Sequence, residues 1–131
     1  MENNFELEII SPEKIIFSDN PTMVTLPAYE GDMSILKNHI SVITFLRPGI
    51  IRVQKNDGHS DEFFVQDGTL EYFNDSLVVL SASAINVKSL SKEFLDNLKK
   101  DILDKLADKV ITDHDRYMLH HKLDTIQQIR V

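Results

Sequence analysis

The sequence contains no cysteine and no tryptophan, and its four glycines and four prolines all lie before residue 69. Without thiols the chain cannot form disulfides, thiolate metal sites or a cysteine nucleophile, which fits a reducing compartment. No apolar run approaches the roughly 20 residues that span a bilayer. The first ten residues are acidic, so we expect no signal or transit peptide. These absences predict a soluble chain without direct membrane insertion.

Positive charge is also scarce, and the formal net charge is −7. Residues 1–90 contain 13 Asp and Glu against 6 Lys and Arg, whereas residues 91–131 contain eight of each. Because an acidic surface is repelled by a phosphate backbone, we expect no nucleic acid among the partners.

The first two-thirds of the chain has the pattern of an all-β sandwich. Turn signals recur about every 8–12 residues, which is typical of sandwiches and barrels. Phe5, Leu7 and Ile9 alternate with acidic residues, as in a half-buried strand. Residues 40–46 are apolar almost throughout and predict a central strand that is covered on both faces. Further short strands are expected at residues 15–17, 23–26, 35–36, 50–55, 62–65, 69–73 and 77–80.

After residue 86 the apolar period becomes helical. Ser91 is a suitable N-cap for a first helix, and Leu90 and Leu95 are spaced for a hydrophobic staple. Thr112 or Asp113 can cap a second helix. The sequence therefore predicts a β-sandwich at 1–88 and an antiparallel helical hairpin at 89–131, with a hinge at 88–90. The expected apolar faces consist of Leu95, Leu98, Ile102, Leu106 and Val110 on the first helix, and of Met118 or Leu119, Leu123, Ile126 and Ile129 on the second.

Catalytic motifs are absent from the sequence. There is no GxxxxGK[ST] phosphate loop, no GxSxG and no HExxH. His114 and His121 have a spacing that shares a helix face, with His120 adjacent, but a packing or solvated role is favoured over a metal site. Composition and motifs alone also fit a free-standing β-sandwich regulatory module. A small sugar-binding or hydrolytic sandwich enzyme is the third interpretation, and it would need a pocket with convergent polar groups.

Residues 22–53 carry three tight-turn signals in order: Glu30-Gly31-Asp32, Lys37-Asn38-His39 and Arg47-Pro48-Gly49. Four further segments lie around these turns: Ser11-Pro12, Ile16-Phe17-Ser18, Ile50-Ile51-Arg52 and Gly68-Thr69-Leu70-Glu71. With the terminal hairpin, this ordered set closely resembles the ε subunit of the bacterial F-type ATP synthase over nearly the whole chain. The departures are Lys37 in place of the usual proline, Asp67 in place of a second glycine, and helices in which Ala107 is the one alanine.

The resemblance implies a non-catalytic stalk component of a rotary machine. In such subunits the sandwich binds the rotor γ subunit and rests on the polar loops of the membrane c-ring, and so couples proton flow to ATP synthesis. The chain is therefore expected at the cytoplasmic face of the inner (plasma) membrane, as a peripheral component. In such subunits certain positions face the c-ring, and the residues that match them here are Glu30, Gly31, Asp32 and His39. The alternative for these residues is a plain turn and a solvated histidine.

The resemblance also implies that the hairpin is regulatory. It would lie folded against the sandwich, or extend along γ toward the catalytic α and β subunits and restrain ATP hydrolysis. Because aspartates at 101, 104 and 108 nearly cancel the neighbouring cations, we expect a weak inhibitor. The cations expected to meet a β subunit are Lys99, Lys100, Lys105, Lys109 and Arg116.

Some members of this family bind ATP through an Ile/Leu-Asp-x-x-Arg-Ala pattern on the first helix. The matching residues here are Leu95-Asp96-Asn97-Leu98-Lys99-Lys100, so Asp96 is retained and Lys99 replaces the arginine. Lysine offers a point charge where a planar guanidinium holds phosphate with two hydrogen bonds. We expect no cofactor beyond weak ATP binding at Asp96 and Lys99, and the alternative is a charged, solvated helix face.

Overall fold

The computed structural model describes residues 2–130. Ten strands precede two helices, and a single 3-10 turn, Val87–Ser89, joins the two parts. The strands are β1 (Glu6–Ile10), β2 (Ile15–Asp19), β3 (Met23–Ala28), β4 (Gly31–Leu36), β5 (Val42–Leu46), β6 (Gly49–Gln54), β7 (Ser60–Val65), β8 (Gly68–Phe73), β9 (Ser76–Leu80) and β10 (Ile85–Asn86). The helices are α1 (Lys92–Leu106) and α2 (Asp113–Gln128).

The strands form one hydrogen-bonded order, β10-β7-β6-β3-β5-β8-β9-β1-β2, with β4 added to β3. Within the described residues all pairings are antiparallel except that of β1 with β9. The sheet folds over into two layers around a single core, as the predicted sandwich requires. The largest fully buried side chains of this core are Leu7, Ile9, Leu26, Ile35, Leu46, Ile51, Phe63, Leu70, Tyr72 and Leu77.

The turn between β5 and β6 lies tightly against β3. The Arg47 N–H donates to the Pro27 carbonyl at 2.9 Å. A Cβ added at Gly49 would lie 2.5 Å from the Pro27 Cβ, so only glycine fits at this point of the Arg47–Pro48–Gly49 turn. This contact fixes the start of β6 beside β3.

The expectation that residues 40–46 are covered on both faces is wrong. β5 lies between β3 and β8, but its side chains alternate between the core and the outside. Ile43 and Phe45 point outward and remain 74% and 67% exposed. The helices leave this face open because they pack on a different part of the sheet, around Ile50, Phe64 and Ile85.

Three other local expectations also differ from the structure. β4 is longer than residues 35–36 because its pairing with β3 extends back to Gly31, and the short strand β10 was not predicted. Val110 does not continue the apolar face of α1. The helix ends at Leu106, the Asp108 carboxylate then accepts the Val110 N–H at 2.9 Å, and Val110 is 87% exposed.

The helical hairpin is docked on the sandwich through a second apolar core. Ser91 caps α1 by accepting the Phe94 N–H, and Thr112 caps α2 by accepting the Asp115 N–H, each at 3.0 Å. The low alanine content has not prevented close packing. The buried members of this hairpin core are Phe64, Leu90, Leu95, Ile102, Leu119 and Ile126.

Candidate functional site

An apolar surface covers the outside of β5, β8 and β9. In the strand register, Phe45 faces Thr69, which faces Leu80, and Ile43 faces Glu71 in the next row. Leu80 is 51% exposed, and Val78, which faces Glu71, is partly exposed. We call the set Ile43, Phe45, Thr69, Val78 and Leu80 the outer apolar strip. Ile43 and Phe45 are two residues apart on β5 and therefore project from the same face of the sheet.

A cavity of about 820 Å³ extends from the strip to the start of α2. Phe45 and Leu80 form its wall on the strip, and Tyr29, His114 and Met118 line the side toward the hairpin. Asp67, Ser81 and His114 also line it, but its surface is mostly apolar, which does not favour a sugar-binding or hydrolytic site. The groove is therefore suited to an apolar protein surface.

The structure separates the residues that were expected to face a c-ring. Glu30, Gly31 and Asp32 lie at the β3–β4 turn, whereas His39 follows the far end of β4. The Asp32 side chain is 73% exposed and lies 3.6 Å from the Arg47 guanidinium. The two sites are about 17 Å apart along β4 at the usual rise per strand residue. A surface that contacts both must run along the β3–β4 hairpin.

At the His39 end, a buried tyrosine and an aspartate hold the β4–β5 turn. The Asp75 carboxylate accepts the Tyr72 hydroxyl at 2.7 Å and the Asn38 N–H at 2.9 Å. Asn38 has the left-handed conformation, with φ of 69°. The Tyr72 hydroxyl and then the Asn38 N–H lower the pKa of Asp75, whereas burial and this carboxylate raise the pKa of Tyr72 to about 12. The His39 ring lies edge-on to Tyr72 at 5.7 Å.

At the opposite end, α2 is joined to the β3–β4 turn by aromatic and polar contacts. The Tyr117 hydroxyl donates to the Tyr29 carbonyl and accepts from the Arg47 guanidinium at 3.5 Å. His114 stacks on the Tyr29 ring at 6.0 Å, and its Nδ1 lies 3.2 Å from the Tyr29 hydroxyl. The His121 ring lies edge-on to Tyr117 at 4.4 Å. Both histidines therefore contact an aromatic side chain.

The candidate ATP residues lie beside a cavity of about 430 Å³ between the two helices. Asp96 and Lys99 line it on α1, together with Lys92, and Arg130 lines it from the end of α2. The lining of this cavity thus includes three positively charged side chains and one carboxylate. Its volume is within the ordinary range for a small-molecule site.

The other candidate cations on the helices are solvated. The exposed ones are Lys100, Lys105, Lys109 and Arg116. Among them, Lys105 forms an ion pair with Asp101, one helical turn away, at 3.0 Å. Among residues 2–130 no three His, Asp or Glu side chains are placed to hold a metal ion. In the same range, no helix has the length and apolar character needed to cross a membrane.

Several of these features were not recognised in the sequence. The outward-facing side chains of β5 were interpreted as the second covered face of a central strand. Tyr29 and Tyr117 meet across 88 positions of sequence, and no local pattern joins them. Arg130 was not connected with Asp96. One signal was available, because Tyr117 and His121 are four residues apart and share a helix face.

Comparison with known proteins agrees with this architecture. The β-sandwich domain of the ATP synthase delta/epsilon chain matches residues 4–87. The chain is 38% identical over 130 residues to the ATP synthase epsilon chain of Pelagibacter ubique, covering 98% of this chain and 99% of that protein. It is 30% identical over 124 residues to the epsilon chain of Rhizobium etli, covering 95% and 92%. The chain belongs to the ATP synthase epsilon chain family.

Solved structures show the same fold. A chain of the Euglena gracilis mitochondrial ATP synthase structure, which includes OSCP, F1 and the c-ring, superposes with a TM-score of 0.74 at 17% identity, over 95% of this chain and 78% of that one. A chain of the Tetrahymena thermophila central stalk and c-ring structure gives a TM-score of 0.58 at 12% identity, over 95% and 92%. Family membership supports the ε-subunit interpretation and not the free-standing regulatory module.

Proposed function

We propose that the chain is the epsilon subunit in the central stalk of a bacterial, proton-translocating ATP synthase. The observation that carries this proposal is its 38% identity to an epsilon chain along 98% of its own length. In this role it is a non-catalytic component that couples the rotor γ subunit to the c-ring during ATP synthesis. Its partners hold it peripherally at the cytoplasmic face of the inner (plasma) membrane.

The outer apolar strip is the surface that we assign to the γ subunit. Contiguous exposed apolar side chains on a soluble domain mark protein contacts. Ile43, Phe45 and Leu80 each keep more than half of their surface exposed, and full burial of such a side chain contributes about 1.5–3 kcal/mol. The strip continues into the large cavity beside Tyr29, which would receive an apolar side chain of the partner.

The edge of the β3–β4 hairpin is the surface that we assign to the c-ring. Within residues 2–130 β4 pairs with β3 alone, so its other edge has no strand partner there. Glu30, Gly31 and Asp32 mark one end of this edge and His39 marks the other. An exposed carboxylate and an imidazole suit a hydrated contact with polar loop tips.

The hairpin is the regulatory part of the proposed subunit. In the docked state its apolar faces are buried on the sandwich, and its cations remain exposed. Extension would bring Lys99, Lys100, Lys105, Lys109 and Arg116 to a catalytic β subunit. Because Asp101 already pairs with Lys105, the electrostatic contribution is small and salt-sensitive, and restraint of hydrolysis is weak.

The deciding experiment is a binding assay between the purified chain and isolated γ subunit. The wild-type chain should bind with 1:1 stoichiometry. Phe45→Asp and Leu80→Asp should each weaken binding by at least about tenfold, because a charge in a buried apolar contact is costly. Leu103→Asp, on the exposed side of α1, is the matched control.

The two parts of the proposal fail separately. If the wild-type chain does not bind γ at all, the stalk function is wrong. If it binds γ and the strip variants bind equally well, the stalk function stands and γ contacts another face. Circular dichroism of each variant shows whether the fold is retained.

A further inference from the structure

The contact between α2 and the sandwich contains a titratable side chain in an environment that disfavours its charged form. His121 is partly buried, and its ring lies edge-on to Tyr117 at 4.4 Å. The Tyr117 hydroxyl on the same side accepts from the Arg47 guanidinium at 3.5 Å. A proton on His121 would therefore place a second positive charge beside Arg47 without full solvation.

The charges that act on His121 come from both sides of the contact. Arg47 and Asp32 belong to the sandwich, and Asp124 and His120 belong to α2. Burial, followed by Arg47, lowers the pKa of His121, and the two aspartates only partly oppose this shift. Asp32 is largely solvated and already pairs with Arg47 at 3.6 Å, so it compensates little.

We propose that protonation of His121 releases the helical hairpin from the sandwich, so that the chain carries its own acid-sensitive switch. Docking and the neutral imidazole favour each other, because a charged imidazole would lie against Tyr117 and near the Arg47 guanidinium that Tyr117 bonds. The inference concerns the isolated chain, so its failure would leave the stalk function untouched.

Linkage gives the direction of the effect. The released histidine titrates near its ordinary value of about 6.5, whereas docking lowers its pKa. The docked state therefore binds fewer protons, is fully stable above that ordinary value, and loses stability as the pH falls toward the lowered value. Each unit by which docking lowers the pKa corresponds to a tenfold shift toward the released state.

The absence of cysteine makes the test direct. Cysteines placed at Glu13 and Lys109, both exposed, are unique sites for a donor and an acceptor dye. Pro12 and His114 line the same cavity, so the two dyes are close in the docked state. Energy transfer is measured between about pH 8 and pH 5, across the histidine range. Transfer should fall with acid in the parent chain and in His120→Gln, and should fall clearly less in His121→Gln.

A second background keeps the test decisive if docking is very stable. Tyr117→Phe removes the hydroxyl that bonds Tyr29 and Arg47, which brings the released fraction into the measurable range. In that background the acid-induced loss of transfer should still require His121. Proton NMR should also give a pKa for His121 below the ordinary histidine value of about 6.5. Equal pH dependence with and without His121 in the Tyr117→Phe chain, or a His121 pKa at or above that ordinary value, would overturn the proposal.

Discussion

Phe63 and Phe64 are neighbours on β7, and both are buried, yet they belong to different cores. Phe63 is 2% exposed and lies inside the sandwich, whereas Phe64 is 0% exposed and lies under the helical hairpin. Because side chains of a strand alternate between its two faces, one dipeptide contributes to both packed layers. β7 is thus the element through which docking of the hairpin is connected to the sandwich.

This arrangement predicts opposite effects for two similar substitutions. Phe64→Ala should undock the hairpin and leave the sandwich folded, since it removes the aromatic side chain that the helices cover. Phe63→Ala should instead lower the free energy of unfolding of the sandwich by about 3–5 kcal/mol, the usual cost of removing a buried phenylalanine. Amide hydrogen exchange distinguishes the two variants. Phe64→Ala should lose exchange protection in α1 and α2 but keep it in the strands, whereas Phe63→Ala should lose it in the strands. Equal loss of protection in both parts would show that the cores are one cooperative unit.

The division at residue 88 leads to a second prediction. A fragment of residues 1–88 should fold, because the sandwich core draws only on side chains before residue 85. It should bind γ and support ATP synthesis, while exposing Ile50, Phe64 and Ile85 where the hairpin was. Thermal unfolding of the fragment tests whether it folds, and reconstitution of the synthase with the fragment tests whether it supports ATP synthesis. An unfolded fragment, or one that does not assemble, would contradict the separate-domain interpretation.

Features that depend on a few neighbouring residues were predictable from the sequence. The Ser91 cap, the Asn38 turn and the Gly49 turn each need particular residue types within a short segment, and the structure contains all three. The change of period after residue 86 also separated strands from helices correctly. These signals are local, so one sequence is enough to identify them.

Features that depend on which surfaces meet were not predictable. The apolar residues of β5 resemble those of a strand covered on both faces, and only the position of the hairpin shows that Ile43 and Phe45 are exposed. The contact between Tyr29 and Tyr117 depends on the same docking, and the cavity that Arg130 shares with Asp96 depends on the packing of α1 against α2. The roles of Asp32 and His39 were assigned by resemblance, and their separation along β4 appears only in three dimensions.

The Asp75 network predicts a pH-dependent stabilisation of the β4–β5 turn. Hydrogen bonds from Tyr72 and Asn38 lower the pKa of Asp75, so its contribution is present above the unfolded value of about 3.9 and is lost as the pH falls through the lower folded value. Asp75→Ala should therefore reduce the urea midpoint at neutral pH and have less effect at about pH 3. Glu71→Gln, exposed on the same hairpin, is the control. An effect of Asp75→Ala that does not change with pH would contradict the charge-based account.

The separation of Asp32 from His39 calls for single substitutions in place of a double one. Asp32→Ala and His39→Ala should each keep the fold, because neither side chain is in a core. If the β3–β4 edge rests on the c-ring, each should weaken coupling or c-ring affinity, by roughly 1–3 kcal/mol at a desolvated centre and less at a hydrated rim. Cross-linking from each position to the c-ring measures this. An effect from one position only would restrict the contact to that end of β4.

The cavity beside Asp96 allows a test of weak ATP binding. Lys92, Lys99 and Arg130 provide positive charge, but α1 offers no planar guanidinium at position 99 to hold phosphate with two hydrogen bonds. We therefore expect a dissociation constant in the millimolar range, on the order of −4 kcal/mol. Titration calorimetry on the isolated chain measures it. Asp96→Ala and Arg130→Ala should weaken binding further, whereas Lys100→Ala, exposed outside the cavity lining, should not. A micromolar constant that Asp96→Ala abolishes would mean that the lysines and Arg130 together replace the missing arginine.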